Sequence, residues 1–354
     1  MELNEIGWDD WFEDQYNAFC GPKHRPARVI IVDRDRYIVR DEDGELSATL
    51  TGKFRHSAIS TTDYPCVGDW VCLQRHDGED HASIHGVLPR RSFLRRKAAG
   101  KNIDFQMIGA NIDAALIVQS CHFDFNLRRL ERYLVMVSEG NIEPILVLTK
   151  IDLISDAELE QLISKIRHMG IHAEIIALSN ITGIGLDKIR EILAPGKTYC
   201  LIGSSGVGKT TLINQLLGHA ELDTKAVSES GEGRHTTVRR QLIMLEQGAM
   251  LIDTPGMREL GILGASEGIE DSYSDINELA TNCRFNDCSH TKEPGCAVLQ
   301  ALKKGTLDEG HYENYLKIKK ESDFHDMSYA DRRKKDKALG KYYNSVLKGK
   351  DKYK

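Results

Sequence analysis

Residues 198–211 read TYCLIGSSGVGKTT and place the pattern G-x-x-x-x-G-K-[ST] between an apolar predicted strand and a predicted helix. In this context the pattern forms a phosphate-binding loop, because the glycines let backbone N–H groups face a phosphate at the start of a helix. Lys209 supplies a positive charge to the β- and γ-phosphates and assists catalysis, and Thr210 supplies a hydroxyl to Mg²⁺. The predicted phosphate-binding residues are Gly203, Ser204, Ser205, Gly206, Val207, Gly208, Lys209, Thr210 and Thr211.

A second motif, TKID at residues 149–152, ends another apolar predicted strand. A carboxylate at Asp152 accepts hydrogen bonds from N1–H and the exocyclic amino group of guanine, a pair of donors that adenine lacks. The Lys150 stem covers the base face, and Ser179 and Asn180 follow the predicted strand AEIIALS, where they brace the base from the other side. The predicted guanine-binding residues are Thr149, Lys150, Ile151, Asp152, Ser179 and Asn180.

A third motif, DTPG at residues 253–256, follows an apolar strand and supplies the second half of a magnesium site. Asp253 holds the ion through water, and the N–H of Gly256 bonds the γ-phosphate. In an ordinary GTPase the phosphate loop comes first and the base-reading motif late, whereas here TKID comes before the phosphate loop. The chain therefore enters the domain at a different point, and the segment after DTPG leads directly into the C-terminal region.

The pattern of predicted elements divides the chain into five segments. Five short β-branched segments within residues 27–88 predict a small barrel, with the OB-fold favoured, although strand spacing alone does not distinguish OB from SH3-like barrels. Strands and helices alternate from residue 111, which predicts a mainly parallel sheet. The expected segments are an acidic helix (1–24), an OB-type RNA-binding barrel (25–90), a basic linker (91–110), a circularly permuted α/β P-loop GTPase domain (111–265), and a helical zinc-binding domain with a basic tail (266–354).

Charge is unevenly distributed in this chain, whose formal net charge is −6. Residues 89–101 hold six bases and no acid, and residues 332–354 hold ten bases against two acids. Basic tracts at particular places in a mildly acidic protein indicate a nucleic-acid partner, although a solvated charged surface is the alternative for any single tract. Neither a secretory signal nor an apolar run long enough to span a membrane is evident, so we expect a cytoplasmic protein.

Cysteine spacing predicts one metal site. Cys283, Cys288, His290 and Cys296 form C-x₄-C-x-H-x₅-C in a loop-rich segment, and three thiolates with one imidazole suit a structural zinc ion. The alternative is three reduced thiols and a surface histidine. The other five cysteines are scattered and are expected to be reduced thiols, not a disulfide framework: Cys20, Cys66, Cys72, Cys121 and Cys200.

Together these motifs resemble the RsgA (YjeQ) family of circularly permuted GTPases, which act in late assembly of the small ribosomal subunit. The resemblance covers nearly the whole chain and implies an OB barrel before the GTPase, a zinc domain after it, and ribosomal RNA as partner. The family pattern at the base reader is usually Asn-Lys-x-Asp, and this chain has Thr149 at the first position. We expect a monomer that binds GTP and GDP with Mg²⁺ and one structural zinc ion, and that is released or rearranged on hydrolysis.

The segment SESGEGRHTTVRR between the phosphate loop and DTPG resembles a first switch loop. Thr236 or Thr237 completes the magnesium coordination in the GTP state, and the sequence does not separate the two. The resemblance also makes His235 a candidate to orient the attacking water, because Met257 follows DTPG where many GTPases carry a glutamine. The alternative for His235 is a solvent-exposed loop histidine without a catalytic role.

Two functions from different classes fit these residues. The first is a GTP hydrolase whose nucleotide state controls binding to the small ribosomal subunit and whose turnover the subunit stimulates. The second is an RNA-binding module in which GTP is a slowly turned-over structural ligand, and the missing glutamine favours it. A third interpretation, an unrelated P-loop ATPase, conflicts with Asp152, which adenine would leave unpaired.

We expect His235→Ala to lower single-turnover GTP hydrolysis by at least roughly tenfold and to leave GTP affinity nearly unchanged, because general-acid–base or water-positioning groups act mainly on the transition state. Single-turnover hydrolysis with radiolabelled GTP and equilibrium titration of a fluorescent GTP analogue measure the two quantities. Unchanged hydrolysis in the variant would show that His235 is an ordinary loop residue.

Overall fold

The computed structural model describes residues 2–33, 36–76, 81–97, 105–122, 125–218, 240–252 and 266–326. A short 3-10 helix at Leu3–Ile6 precedes helix α1 (Asp10–Phe19), whose N-cap Asp9 accepts a hydrogen bond from the Phe12 N–H. Phe12 is buried. The rings of Trp8 and of Trp70, which lies in the barrel that follows, pack edge to face with their centroids 4.6 Å apart. The N-terminal segment is therefore docked on the barrel.

The barrel matches the five strands that the sequence predicts. They are β1 (Arg25–Asp33), β2 (Arg36–Asp41), β3 (Gly44–Leu50), β4 (Trp70–Arg75) and β5 (His81–Val87), with helix α2 (Gly52–Ser57) between β3 and β4. The strands pair in the order β1-β2-β3-β5-β4, and β4 returns to β1 and closes the barrel. All pairs are antiparallel except β3 with β5, and alternate residues fill the interior. This closed five-stranded topology confirms the predicted OB-type barrel.

One cysteine prediction is wrong. Cys20, at the C-terminal end of α1, forms a disulfide with Cys72 of β4, with 5.6 Å between the Cα atoms. The two residues are 52 positions apart, and only the docking of α1 on the barrel brings the side chains together. Cys66, Cys121 and Cys200 are free thiols as expected.

A two-stranded antiparallel ribbon, β6 (Phe93–Lys97) with β7 (Phe105–Ala110), occupies the segment predicted as a linker. The α/β domain predicted to be the GTPase follows, with six strands and four helices in its described residues. They are β8 (Ala114–Ser120), α3 (Leu127–Glu139), β9 (Glu143–Thr149), α4 (Asp156–His168), β10 (Glu174–Ala177), α5 (Leu186–Ile192), β11 (Thr198–Ile202), α6 (Lys209–Leu217), β12 (Arg240–Met244) and β13 (Met250–Ile252).

The GTPase strands lie in the order β10-β9-β8-β11-β13-β12. The first five are parallel, as the strand–helix alternation predicts, and β12 is antiparallel to β13. Strand β12 also pairs with β1 of the barrel, with Ile31 opposite Gln241, so the barrel and the GTPase share one continuous sheet. Strand β12 and this connection were not predicted, because strand pairing between domains leaves no local pattern in the sequence.

The C-terminal region is helical, as expected, with α7 (Ser266–Ser272), α8 (Ser274–Ala280), α9 (Ala297–Lys303) and α10 (Glu309–Asp326). It packs against α3 through apolar residues and a buried polar cluster. His311 Nδ1 bonds the Glu131 carboxylate, and His311 Nε2 lies 3.1 Å from Asp275 Oδ1. Asn314 donates to the other Glu131 oxygen at 2.5 Å. No helix within the described ranges is both long and apolar enough to cross a membrane.

Burial alone would lower the pKa of His311, but hydrogen bonds and charge from Asp275 and Glu131 raise it to about 9. A folded-state pKa above the unfolded value of about 6.5 means that the protonated histidine stabilises the fold below that pH. This contribution is lost as the pH rises through about 9.

We therefore expect the free energy of unfolding of wild type to exceed that of His311→Gln at pH 6 and the difference to shrink by pH 9.5. The change is up to a few kcal/mol, at about 1.4 kcal/mol per pKa unit. Urea unfolding followed by fluorescence at both pH values measures it, with His168→Gln on the exposed side of α4 as control. A difference that stays constant with pH would show that His311 is neutral in the fold.

Candidate functional site

The phosphate loop connects the end of β11 to the start of α6, as the sequence predicts. Gly203 approaches β8 so closely that a Cβ there would lie 2.3 Å from the Val118 carbonyl oxygen, so only glycine fits. Lys209 begins α6 and folds back over the loop, where its ammonium donates to the carbonyl oxygens of Gly203 at 2.7 Å and Ser204 at 2.6 Å. These contacts hold the Lys209 charge above the loop that carries the predicted phosphate-binding N–H groups.

The residues predicted to bind guanine lie at the ends of β9 and β10, beside the phosphate loop. Thr149 is the fully buried last residue of β9, and Lys150 turns the chain with φ of +60° into a 3-10 helix at Ile151–Leu153. Asp152 is exposed at this turn, where its carboxylate is open to a ligand. The buried Ser179 hydroxyl shapes the loop after β10, because it accepts hydrogen bonds from the backbone N–H groups of Ile181 and Thr182.

Two side chains join the base-reading segments to the phosphate loop. The Thr149 hydroxyl lies 2.6 Å from the Val207 carbonyl oxygen and 3.3 Å from that of Gln119, and the Asn180 amide nitrogen lies 3.1 Å from the Gly208 carbonyl oxygen. Thr149 therefore contacts the phosphate loop even though it replaces the usual asparagine. The structure brings TKID, Ser179–Asn180 and the phosphate loop together at one edge of the sheet, as their positions after parallel strands predict.

The remaining predicted site residues lie outside the described residues. They are His235, Thr236 and Thr237 in the predicted first switch and Asp253 and Gly256 in DTPG. Thr210 and Thr211 lie in the exposed first turn of α6, and Ser205 and Gly206 are exposed at the tip of the phosphate loop.

Sequence reasoning missed Gln215 of α6. Its side-chain amide donates to the backbone carbonyl of Asn180 and so ties the loop after β10 to the same helix that the phosphate loop begins. Helical periodicity offers the only signal, since Gln215 is a half-buried polar residue between the buried Ile213 and Leu216. Polar contacts of this kind depend on how two loops meet, which periodicity does not encode.

The four predicted zinc ligands form a compact cluster between α8 and α9. One ligand atom from each of Cys283, Cys288, His290 and Cys296 lies within 4.8 Å of all the others. His290 Nδ1 is 3.6 Å from the sulfurs of Cys283 and Cys296, and those two sulfurs are 3.8 Å apart. Burial lowers the pKa of His290, which keeps the imidazole neutral, as a metal ligand must be. The cluster is therefore able to hold a metal ion.

Hydrogen bonds around this cluster orient its ligands. The Tyr312 hydroxyl donates to the His290 carbonyl at 2.7 Å, and the N–H of Ala297 lies 3.4 Å from the Cys283 sulfur. Donors of this kind hold metal ligands in place and stabilise thiolate charge.

The fold and these loops define a class of protein: a P-loop GTPase in which the base-reading motif precedes the phosphate loop, with a barrel before it and a helical Cys₃His region after it. A sequence model described as RsgA GTPase matches residues 87–263. The chain belongs to the RsgA GTPase family, whose enzymatic activity is hydrolysis of GTP.

Relatives match along most of the chain. A small ribosomal subunit biogenesis GTPase RsgA of Opitutus terrae is 39% identical to this chain, and the aligned region spans 94% of this chain and 92% of the relative. An RsgA 2 of Vibrio vulnificus is 38% identical over 99% of this chain and 97% of its own length. The crystal structure of YjeQ from Thermotoga maritima covers 83% of this chain and 97% of its own, with 26% identity and a TM-score of 0.61. YloQ, described as a circularly permuted GTPase, gives a TM-score of 0.60 at 25% identity, over 86% of this chain and 97% of its own.

Proposed function

We propose that this chain is a GTP hydrolase that acts in late maturation of the small ribosomal subunit, binds its rRNA, and is released or rearranged on hydrolysis. The observation that carries this proposal is that both base-reading segments contact the phosphate loop, through Thr149 and Asn180. Motifs that occur in permuted order along the chain therefore lie side by side, as one nucleotide site requires. Relatives named as small ribosomal subunit biogenesis GTPases align with up to 99% of the chain. We further infer that the protein is a cytoplasmic monomer whose chain is divided into the five segments expected from its sequence.

In this proposal the nucleotide binds along the edge of the sheet where β9, β10 and β11 end. Asp152 reads guanine, and the N–H groups of the phosphate loop with Lys209 hold the β- and γ-phosphates. Thr210 and Asp253 hold Mg²⁺ together with Thr236 or Thr237, and His235 is the candidate that orients water. GTP orders the switch segments through the γ-phosphate and Mg²⁺, and hydrolysis releases them.

The barrel supplies charge for RNA. Helix α2, in the long connection between β3 and β4, presents Lys53, Arg55 and His56 to solvent, and Ile59 just beyond it is 97% exposed. Cationic side chains in such a loop neutralise backbone phosphates, and an exposed apolar residue beside them packs against bases or riboses. These features support rRNA as the barrel's partner.

The metal of the Cys₃His cluster is zinc in this proposal. A tetrahedral ion with bonds of about 2.3 Å to sulfur and about 2.0–2.1 Å to nitrogen separates two sulfurs by about 3.8 Å and a sulfur from a nitrogen by about 3.6 Å. The distance of 3.8 Å between the Cys283 and Cys296 sulfurs and the distances of 3.6 Å from His290 Nδ1 to these two sulfurs agree with this geometry. Four protein ligands leave no open position, so the ion is structural.

We expect the purified protein to contain one zinc ion per chain. Cys288→Ser should lower the zinc content severalfold and destabilise the C-terminal helices, because structural zinc contributes directly to folding. Metal analysis by mass spectrometry and thermal unfolding with and without a chelator measure both effects. Cys121→Ser is the matched control, since Cys121 is also buried but lies in the GTPase core. Zinc-free wild-type protein with unchanged thermal stability would contradict the assignment.

We expect purified small ribosomal subunits to raise steady-state GTP turnover by at least roughly tenfold, because a large RNA partner that favours the ordered switch state lowers the barrier to hydrolysis. Phosphate release is measured with and without small subunits, with large subunits and Lys209→Ala as controls. Turnover that small subunits leave unchanged would favour the RNA-binding module with a slowly hydrolysed GTP.

A further inference from the structure

We propose that Asn180 is a positioning residue for nucleotide binding, which holds the phosphate loop in its binding conformation by fixing the carbonyl group of Gly208. The inference rests on the proposed nucleotide site. Together with Thr149, Asn180 performs the contact to the phosphate loop that the asparagine of Asn-Lys-x-Asp would otherwise make.

The contact depends on a glycine. The Asn180 amide nitrogen lies 3.1 Å from the Gly208 carbonyl oxygen, and a Cβ on Gly208 would lie only 2.7 Å from the same nitrogen. Gly208 also has φ of +99°, a conformation that other residues rarely adopt. The side chain therefore reaches the loop directly at the residue before Lys209.

Asn180 and Thr149 contact two successive carbonyl groups, those of Gly208 and Val207. The Gly208 carbonyl also accepts the first helical hydrogen bond of α6, from the Leu212 N–H at 2.9 Å, and Asn180 adds a second donor from the side of the base-reading segments. Peptide bonds are planar, and in a trans peptide the C=O and N–H groups point in opposite directions. The described part of the chain contains no cis peptide bond. Fixing these two carbonyls toward the base-reading segments therefore turns the N–H groups of Gly208 and Lys209 to the opposite side, where the loop binds phosphate.

The backbone of Asn180 is itself anchored to helix α6. Gln215, near the C-terminal end of that helix, donates its amide to the Asn180 carbonyl, while the Asn180 side chain contacts Gly208 at the other end. The loop after β10 is thus attached to both ends of α6. A displacement of this loop would therefore break or strain a contact at the start of the helix, where the phosphate-binding N–H groups lie.

The side-chain amides of Asn180 and Gln215 each leave a buried oxygen unpaired, which destabilises the fold. Asn180 Oδ1 and Gln215 Oε1 are buried, and neither has a hydrogen-bond partner within the described ranges. An unpaired buried acceptor destabilises a fold, and a well-packed apolar side chain would avoid this penalty. The Asn180 amide is thus a second donor to the Gly208 carbonyl, beside the Leu212 N–H, and the Gln215 amide satisfies the Asn180 carbonyl.

The test compares nucleotide dissociation from wild type and Asn180→Leu, which keeps the size of the side chain but removes the donor. We expect dissociation of a fluorescent GDP about tenfold faster in the variant, the effect of losing one buried hydrogen bond, or about 1.4 kcal/mol. Ile181→Ala, at the neighbouring position that is 83% exposed, is the control and should match wild type. Stopped-flow displacement by excess unlabelled GDP gives the rates.

Two further measurements separate positioning from a general loss of stability or a contact to the base. The ratio of GDP to IDP affinity should stay at the wild-type value in Asn180→Leu, because the residue acts through the phosphate loop. Thr149→Val, which removes the hydroxyl at nearly constant shape, should also speed dissociation, and the double variant should show a non-additive effect because both contacts orient adjacent peptides.

An unchanged dissociation rate in Asn180→Leu, or a changed GDP to IDP ratio in that variant, would overturn the inference. Asn180→Leu should lower the melting temperature of the GDP-bound protein more than that of the nucleotide-free protein, each relative to wild type. Equal decreases in the two forms would indicate a general loss of stability and would also overturn the inference. Failure of wild type to bind GDP would instead contradict the proposed function, so the two failures are distinguishable.

Discussion

The buried guanidinium of Arg28 is the interaction on which the arrangement of the two β-domains depends. Arg28 lies on β1 of the barrel, is 1% exposed, and donates to carbonyl oxygens of the N-terminal segment, the barrel and Asn111, and to the Thr198 hydroxyl of β11 at 2.8 Å. Burial lowers its pKa to about 10, so it stays charged at neutral pH. A buried charge is tolerated only while its hydrogen bonds persist, and these bonds persist only while the segments stay together.

The β1–β12 pairing extends this connection to the strand that follows the predicted first switch. Strand β12 begins at Arg240, three residues after Thr237, and the Arg240 side chain also donates to the Met107 carbonyl of the β6–β7 ribbon at 2.7 Å. The barrel is thus hydrogen-bonded to the strand that follows the predicted first switch. At a separate contact, Glu131 of α3 ties the C-terminal helices to the GTPase through His311 and Asn314. Both flanking parts therefore contact the GTPase through buried polar groups, which require specific geometry and resist sliding.

Most of the fold followed from local patterns. The five barrel strands, the alternation from β8 to α6, and the helical C-terminal region all have periodicities that a short window contains. The site was predictable where a motif specifies its own geometry, as in the phosphate loop and the Cys₃His cluster. The Cys20–Cys72 disulfide, strand β12 and Gln215 were not, because each depends on a partner far away in the sequence.

The order of TKID, phosphate loop and DTPG is a property of the sequence, and it determined the class of GTPase by itself, because each motif has the residue types that its chemistry requires. The sequence also determined the four residues of the metal cluster. Tertiary structure alone decided what Thr149 contacts: its hydroxyl lies 2.6 Å from the Val207 carbonyl oxygen, and the Asn180 amide nitrogen lies 3.1 Å from the carbonyl oxygen of the next residue, Gly208. The physical reason is that hydrogen bonds between loops depend on distances and directions set by the packing of the whole sheet, which no single segment specifies.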